Sequence, residues 1–178
     1  MKNLIIFVSL IFMPVIVFSQ ENLNINPSSY KFTYFKLIKQ DIAGEYQFLS
    51  ETLPRSFRLT LEKEGFKTID AGNKEVQDIS AREAILKTGK ELNTDLIFCG
   101  KLSIVGEGND AKIHLLVNVY DIKGGEKVIE KFFIGGIGSG MFVMIGEASD
   151  IIKKEVIAYY IKREEILKKA REERLRQE

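Results

Sequence analysis

Apolar residues along this chain recur at a period of two in some stretches and near 3.6 in others, and each switch marks a predicted element. Tyr30–Ile38 alternates, with Phe32, Tyr34 and Lys36 on one face and Thr33, Phe35 and Leu37 on the other, which predicts a first strand. Glu45–Glu64 has helical spacing at Phe48, Leu49, Leu53, Phe57 and Leu61, and Gly65 follows as the residue that ends the helix. Pro54 falls inside this segment and has no N–H for the carbonyl four residues back. It predicts a kink there, or a new first turn near Leu53. Phe66–Ile69 reads as a short second strand and Asp70–Asp78 as a polar loop. Ser80-Ala81-Arg82-Glu83 has the form of a capping box, opening a helix to about Leu92 with Ala84, Ile85, Thr88 and Leu92 inward.

The second half is richer in strand patterns. Asp95–Val105 contains Leu96-Ile97-Phe98-Cys99, apolar on both faces, which suits a central strand. Ala111–Ile122 alternates with Ile113, Leu115, Val117 and Val119 on one side. Gly124-Gly125 then predicts a two-residue hairpin turn, both positions tolerating positive φ, and Lys127–Ile134 is the returning strand. Gly135–Gly140 reads as a flexible connection. From about Met144 the spacing is helical, with Ala148, Ile152, Val156 and Tyr159 as its stripe. The order β-α-β-α-β-β-β-α predicts an α/β (α+β) fold with a mixed five-stranded sheet. Its first three strands are parallel through crossovers, its last three form a meander, and a long C-terminal helix follows.

Residues 1–19 read as a secretory signal peptide: Lys2 supplies the positive end, Leu4–Phe18 is almost unbroken apolar, and Val17 and Ser19 fit the −3 and −1 positions. That run is shorter than the roughly 20 residues a membrane-spanning helix needs, so cleavage before Gln20 is expected, and a retained anchor is the alternative. Acylation is not expected, because the sole cysteine is Cys99. Residues 20–29 form a short polar tether, residues 30–160 the globular domain, and residues 161–178 a charged helical extension. Within Lys162–Glu178 the apolar positions are only Ile166, Leu167, Ala170 and Leu175, which suits a solvated helix or a short coiled-coil contact.

Lys and Arg number 26 against 25 for Asp and Glu, a formal net charge of +1, so nothing general draws the chain to nucleic acid. One Cys and one His exclude a disulfide framework and a Cys/His zinc site. His114 lies opposite Ile113, Leu115 and Val117 as a structural or solvated strand residue, and Cys99 reads as a small core residue. The carboxylates of Glu62/Lys63/Glu64 and Glu164/Glu165/Lys168/Lys169 have the spacing of solvated ion pairs, and none stands apart for acid–base work. Gly135-Gly136-Ile137-Gly138-Ser139-Gly140 lies between a strand and a helix but fits neither the dinucleotide nor the Walker pattern. No catalytic residue, cofactor site or metal site is therefore predicted. The same glycines join Met141-Phe142-Val143-Met144-Ile145, so Gly136, Gly138, Gly140, Met141, Phe142 and Met144 form a candidate interaction patch. The shortness of the run argues instead that Phe142 is core at the buried start of the last helix.

Three stretches carry a family resemblance: Phe48-Leu49-Ser50 through Phe66-Lys67-Thr68-Ile69-Asp70, Gly89 through Leu102, and Val119-Tyr120-Asp121-Ile122-Lys123-Gly124-Gly125-Glu126-Lys127-Val128. They resemble the amino-terminal domain of TolB and the related periplasmic domain of the curli secretion component CsgG. The resemblance covers roughly residues 30–160 and lies in turns and core positions, so it speaks to fold more than function. The sequence carries neither a TolB β-propeller nor the acylated Cys and inserting hairpins of CsgG. Pal binding and channel formation are accordingly not carried over. With the signal-like segment, which predicts export, and the lack of candidate catalytic residues, which predicts a non-enzymatic protein, the resemblance implies a binding or adaptor module of the periplasm or cell envelope, with an envelope protein as partner. Peripheral membrane contact and homo-oligomer formation remain open. The alternatives are a subunit of a membrane-associated secretion or assembly complex, and a small-ligand-binding protein.

Overall fold

The computed structural model describes residues 25–35, 37–40, 42, 44–71, 78 and 81–177. The predicted signal peptide and its cleavage point, Lys36 and Ser80 lie outside the described residues. After a 3₁₀ turn at Pro27–Ser29, the chain runs β1 (Lys31–Tyr34), β2 (Ile38–Lys39), α1 (Leu49–Lys63), β3 (Lys67–Asp70), α2 (Arg82–Glu91), β4 (Leu96–Val105), β5 (Lys112–Asp121), β6 (Glu126–Gly136) and α3 (Ser139–Leu175). One mixed sheet carries the order β3-β1-β4-β5-β6, with β2 as a sixth short strand on β4. β3, β1 and β4 are parallel, and β4, β5 and β6 form the antiparallel meander.

The expected first strand is split in two. Tyr34 pairs with Phe98 while Ile38 pairs with Lys101, so four residues of this strand advance against three of β4. One extra residue flips the faces beyond it. Leu37, expected with Thr33 and Phe35, instead joins Phe32 and Tyr34 in the larger core cluster, and Phe35 lies in the smaller cluster on the opposite face.

α1 buries Leu49, Leu53, Phe57 and Leu61, one residue per turn. It ends in a Schellman motif: Phe66 N–H donates to the Leu61 carbonyl, Gly65 N–H to Glu62, and Phe66 itself is buried. The helix starts at Leu49, behind a separate 3₁₀ turn at Gly44–Tyr46, which leaves Phe48 exposed at its cap rather than in the stripe. It continues through Pro54 without restarting at Leu53. α2 is capped by Ala81 with no side-chain bond, so the expected capping box does not form its start, and Glu83 sits one position too early to complete it. Its inward residues are Ile85 and Gly89, whereas Ala84 faces solvent. A Cβ at Gly89 would collide with Ile122 Cδ1 and stand 2.9 Å from Ile97 Cδ1. The absent side chain is what lets α2 lie this close to the sheet.

α1 and α3 cover one face of the sheet over Phe32, Leu96, Phe98, Leu115 and Val117, and α2 covers part of the other over Ile97, Cys99 and Tyr120. α3 begins at Ser139, five residues earlier than the spacing predicts. Its stripe runs Met141, Met144, Ile145, Ala148, Ile152, Val156 and then Tyr160, while Tyr159 is only half-buried. The last turns, from Glu164, project with every described residue exposed.

Candidate functional site

The glycine-rich segment is ordered by its neighbours. Gly135 and Gly136 close β6, where a Cβ on Gly135 would meet Met144 Cβ at 2.8 Å. Gly138 caps α3 at φ +71°, and Gly140 lies in the first turn. The candidate patch divides there. Met141 and Met144 are buried beneath α3, whereas Phe142 is 63% exposed and Val143 61%, so Phe142 is not the core residue that the shortness of the run suggests. An α-helix turns successive side chains by about 100°, so a five-residue apolar run cannot bury all of its members on one face.

Immediately before the turn, Phe132 and Ile134 on β6 are 56% and 58% exposed. Register puts Ile134 across from His114 and His114 across from Ser103, while Phe132 lies across from Leu116 and Leu116 from Lys101. Exposed Val105 lies at the same end of the sheet, opposite Lys112 and, beyond it, Gly136. An antiparallel sheet can turn one face to water, but that face is then normally polar. Here it carries Val105, Leu116, Phe132 and Ile134. His114 sits among them, half-buried, its ring edge-on to Phe132 at 5.3 Å. Its role is packing.

At the opposite end of the same strands is a polar hub to which the sequence reading assigns nothing. Asp121 is fully buried at the end of β5. Its Oδ2 accepts from Gly124 N–H at 3.0 Å, Tyr159 O–H at 3.0 Å and Arg163 Nη1 at 2.5 Å. Its Oδ1 accepts from Lys123 N–H at 3.2 Å and Tyr160 O–H at 3.3 Å. The expected pair of glycine turn residues takes two roles here. Gly125 has the positive φ, at +69°, whereas Gly124 is needed for space, since a Cβ there would collide with Asp121 Oδ2. The turn is four residues long, between Asp121 and Glu126. An aspartate two and three residues before turn N–H groups is an Asx-type signal, and Asp121-Ile122-Lys123-Gly124 carries it. Burial first, then the bond to Asp121, pushes the Tyr159 phenol well above its ordinary range. Burial and the Asp121 charge do the same to Tyr160. The hub therefore fixes α3 to the β5–β6 turn with both phenols neutral.

Cys99 is buried, and burial pushes its thiol up to about 12, so it carries no nucleophilic thiolate at neutral pH. Among the described residues no group of three or more His, Cys, Asp or Glu side chains could hold a metal ion, and no helix is long and apolar enough to cross a membrane.

No family model matches the chain, and no curated protein matches it. Solved structures do. The hypothetical protein CT253 of Chlamydia trachomatis superposes at a TM-score of 0.50 with 10% identity, over 72% of this chain and 99% of that one. A PelC dodecamer from Paraburkholderia phytofirmans gives 0.48 with 14% identity, over 66% of this chain and 83% of that one. TolB from Acinetobacter baumannii gives 0.37 with 12% identity, over 72% of this chain and 27% of that one. At these identities the likeness concerns the fold alone.

Proposed function

We propose that the protein is a non-catalytic binding or adaptor module of a bacterial cell envelope, acting through protein contacts at the end of the sheet where β6 turns into α3. The observation that carries this reading is the set of exposed apolar side chains there: Phe132 and Ile134 before the turn, Phe142 and Val143 after it. Exposed apolar residues scattered singly need no explanation, whereas four gathered at one end of the sheet, two on the bare face of β6 and two on the first turn of α3, support an interaction role for that end. Gly136, Gly138 and Gly140 alternate with Ile137, which packs against the core, and Ser139, and Met141 and Met144 anchor the helix that presents Phe142. The envelope location is supported by the signal-like sequence of residues 1–19 and by the resemblance to the TolB amino-terminal domain.

The test is crosslinking of the protein in its native envelope, followed by affinity capture, for wild type, Phe142→Ser and Ile134→Ser. The reading expects both substitutions to lose the captured partner while the denaturation midpoint stays unchanged. Capture that survives both would overturn it. A second reading, a subunit of a membrane-associated assembly, is favoured by β6 itself. Among the described residues it is an eleven-residue edge strand with one side of its backbone unpaired, a ready site for strand addition. That reading expects a higher oligomer by light scattering and membrane association that survives a salt wash.

A further inference from the structure

Two parts of the molecule leave apolar side chains in water, and their shapes match. The first is the bare face of the sheet at its open end. It spans residues 101–105 of β4, 112–116 of β5 and 132–136 of β6, five residues of each strand, and is about 17 Å long. The outer two of these strands stand about 10 Å apart, close to the diameter of a helix with its side chains. Val105, Leu116, Phe132 and Ile134 supply the apolar surface, each half-buried or exposed. Charges lie at its margins: Glu130, itself paired with Lys127, on the β6 side and Lys101 on the β4 side.

The second is the end of α3. From Glu164 every described residue is exposed, and residues 164–175 make a helix about 18 Å long, the length of the bare face. At about 100° per residue, Ile166, Ala170 and Leu167 fall within one narrow arc, and Leu175 lies outside it. Arg171 and Glu173, two residues apart, flank this stripe on opposite sides. Laid along the bare face in one of its two directions, the tail sets Arg171 toward Glu130 and Glu173 toward Lys101, so charge selects that direction. The tail cannot reach the bare face of its own molecule. α3 starts where β6 ends, runs under the other face, and is fixed by Tyr159, Tyr160 and Arg163 to Asp121 at the opposite end before it projects.

We propose that the α3 tail of one copy lies along the bare face of a second copy, with Ile166, Leu167 and Ala170 packed on Leu116, Phe132 and Ile134. The contact is head-to-tail. Each copy offers both a tail and a face, so copies add into a ring or a filament rather than stopping at a dimer. The contact rests on the reading of the open end as an interaction surface, gives its β6 half a second copy as occupant, and leaves Phe142 and Val143 outside.

The test is sedimentation velocity of the natively processed protein over a dilution series, for wild type, Leu167→Lys on the tail, Ile134→Lys on the face, and the double variant, with thermal melting as the check on folding. Wild type is expected to grow past the dimer as concentration rises. Each single substitution should weaken association about tenfold or more, the scale of a lost apolar contact, while the melting temperature holds, because both positions are exposed. An equimolar mixture of the two single variants should recover a one-to-one dimer, the intact tail of the Ile134→Lys chain on the intact face of the Leu167→Lys chain. The double variant should stay monomeric, and Phe142→Ser should associate as wild type does. Wild type that is monomeric at every concentration, assembly that survives either single substitution, or a mixture that stays monomeric would each overturn the contact. Ile134-dependent capture of a different envelope protein by a monomeric chain overturns this contact alone and leaves the open end an interaction surface. Capture and association that both survive Ile134→Lys overturn the two together.

Discussion

The two ends of the β4–β5–β6 ribbon are built from the same strands yet meet solvent in opposite ways. At one end Leu96, Ile97, Phe98 and Cys99 are buried on both faces, and Asp121 is held by two tyrosines, an arginine and two backbone N–H groups. At the other end, only the face under α3 is covered, and Val105, Phe132 and Ile134 stand open on or beside the bare one. The cause is helix length. β4 has ten residues, about 33 Å of strand, while α2 has ten residues, about 15 Å of helix, so α2 reaches under half of the face it covers. α3, with 37 residues, spans the whole of the other face and projects beyond it. One end is specified by packing and polar closure. The other keeps apolar side chains in water.

The comparison breaks most visibly at the covered end. Phe98 has no exposed surface and sits between the rings of Tyr34 and Phe57, each with its centroid 5.1 Å away. Phe98→Ala should cost roughly 3–5 kcal/mol, read as a lowered denaturation midpoint. A smaller loss is expected at the hub. Removing one partner of a buried ion pair typically costs about 3–5 kcal/mol, but Arg163 is about one-third exposed and Asp121 keeps four other donors, so Arg163→Ala should cost about 2–3 kcal/mol.

Tyrosine ionisation tests the same end without a substitution. Tyr159 and Tyr160 have phenols raised above their ordinary value near 10 in the folded state, so above that pH the folded protein binds more protons than the unfolded chain. Their contribution to stability is therefore complete below about pH 10 and is lost as pH rises toward their folded values. Ultraviolet titration should show these phenols ionising late, together with cooperative alkaline unfolding. In Arg163→Ala that unfolding should begin at lower pH.

Element order and type are legible in the sequence because each rests on local period: the i, i+4 run of Leu49, Leu53, Phe57 and Leu61, and the alternation from Ile113 to Val119. What periodicity cannot register is a single inserted residue, which is why Leu37 lies on the face opposite to the expected one. The Ser80 capping box fails for a related reason, since it is a local word while the helix start settles one residue later at Ala81. The Asp121 hub needs α3 to fold back across some forty residues of chain. The turn pattern at Asp121 is visible in the sequence. Its partners are not.

The smallest expected effect lies at the open end. Phe142 stands 63% exposed on the first turn of α3, flanked in sequence by buried Met141 and exposed Val143. Replacing it with serine removes apolar surface that is already largely in water and opens no cavity. Serine and phenylalanine have similar helix propensities, so the exchange costs little on that account. Phe142→Ser should therefore move stability by less than about 0.5 kcal/mol, the range of ordinary surface sites. If stability instead falls by several kcal/mol, Phe142 is packed in solution and the open end is more closed than its side-chain exposure indicates. If stability holds and the captured envelope partner is lost, the difference between the two ends is functional, because the same substitution at Phe98 would remove the fold before any contact could be measured.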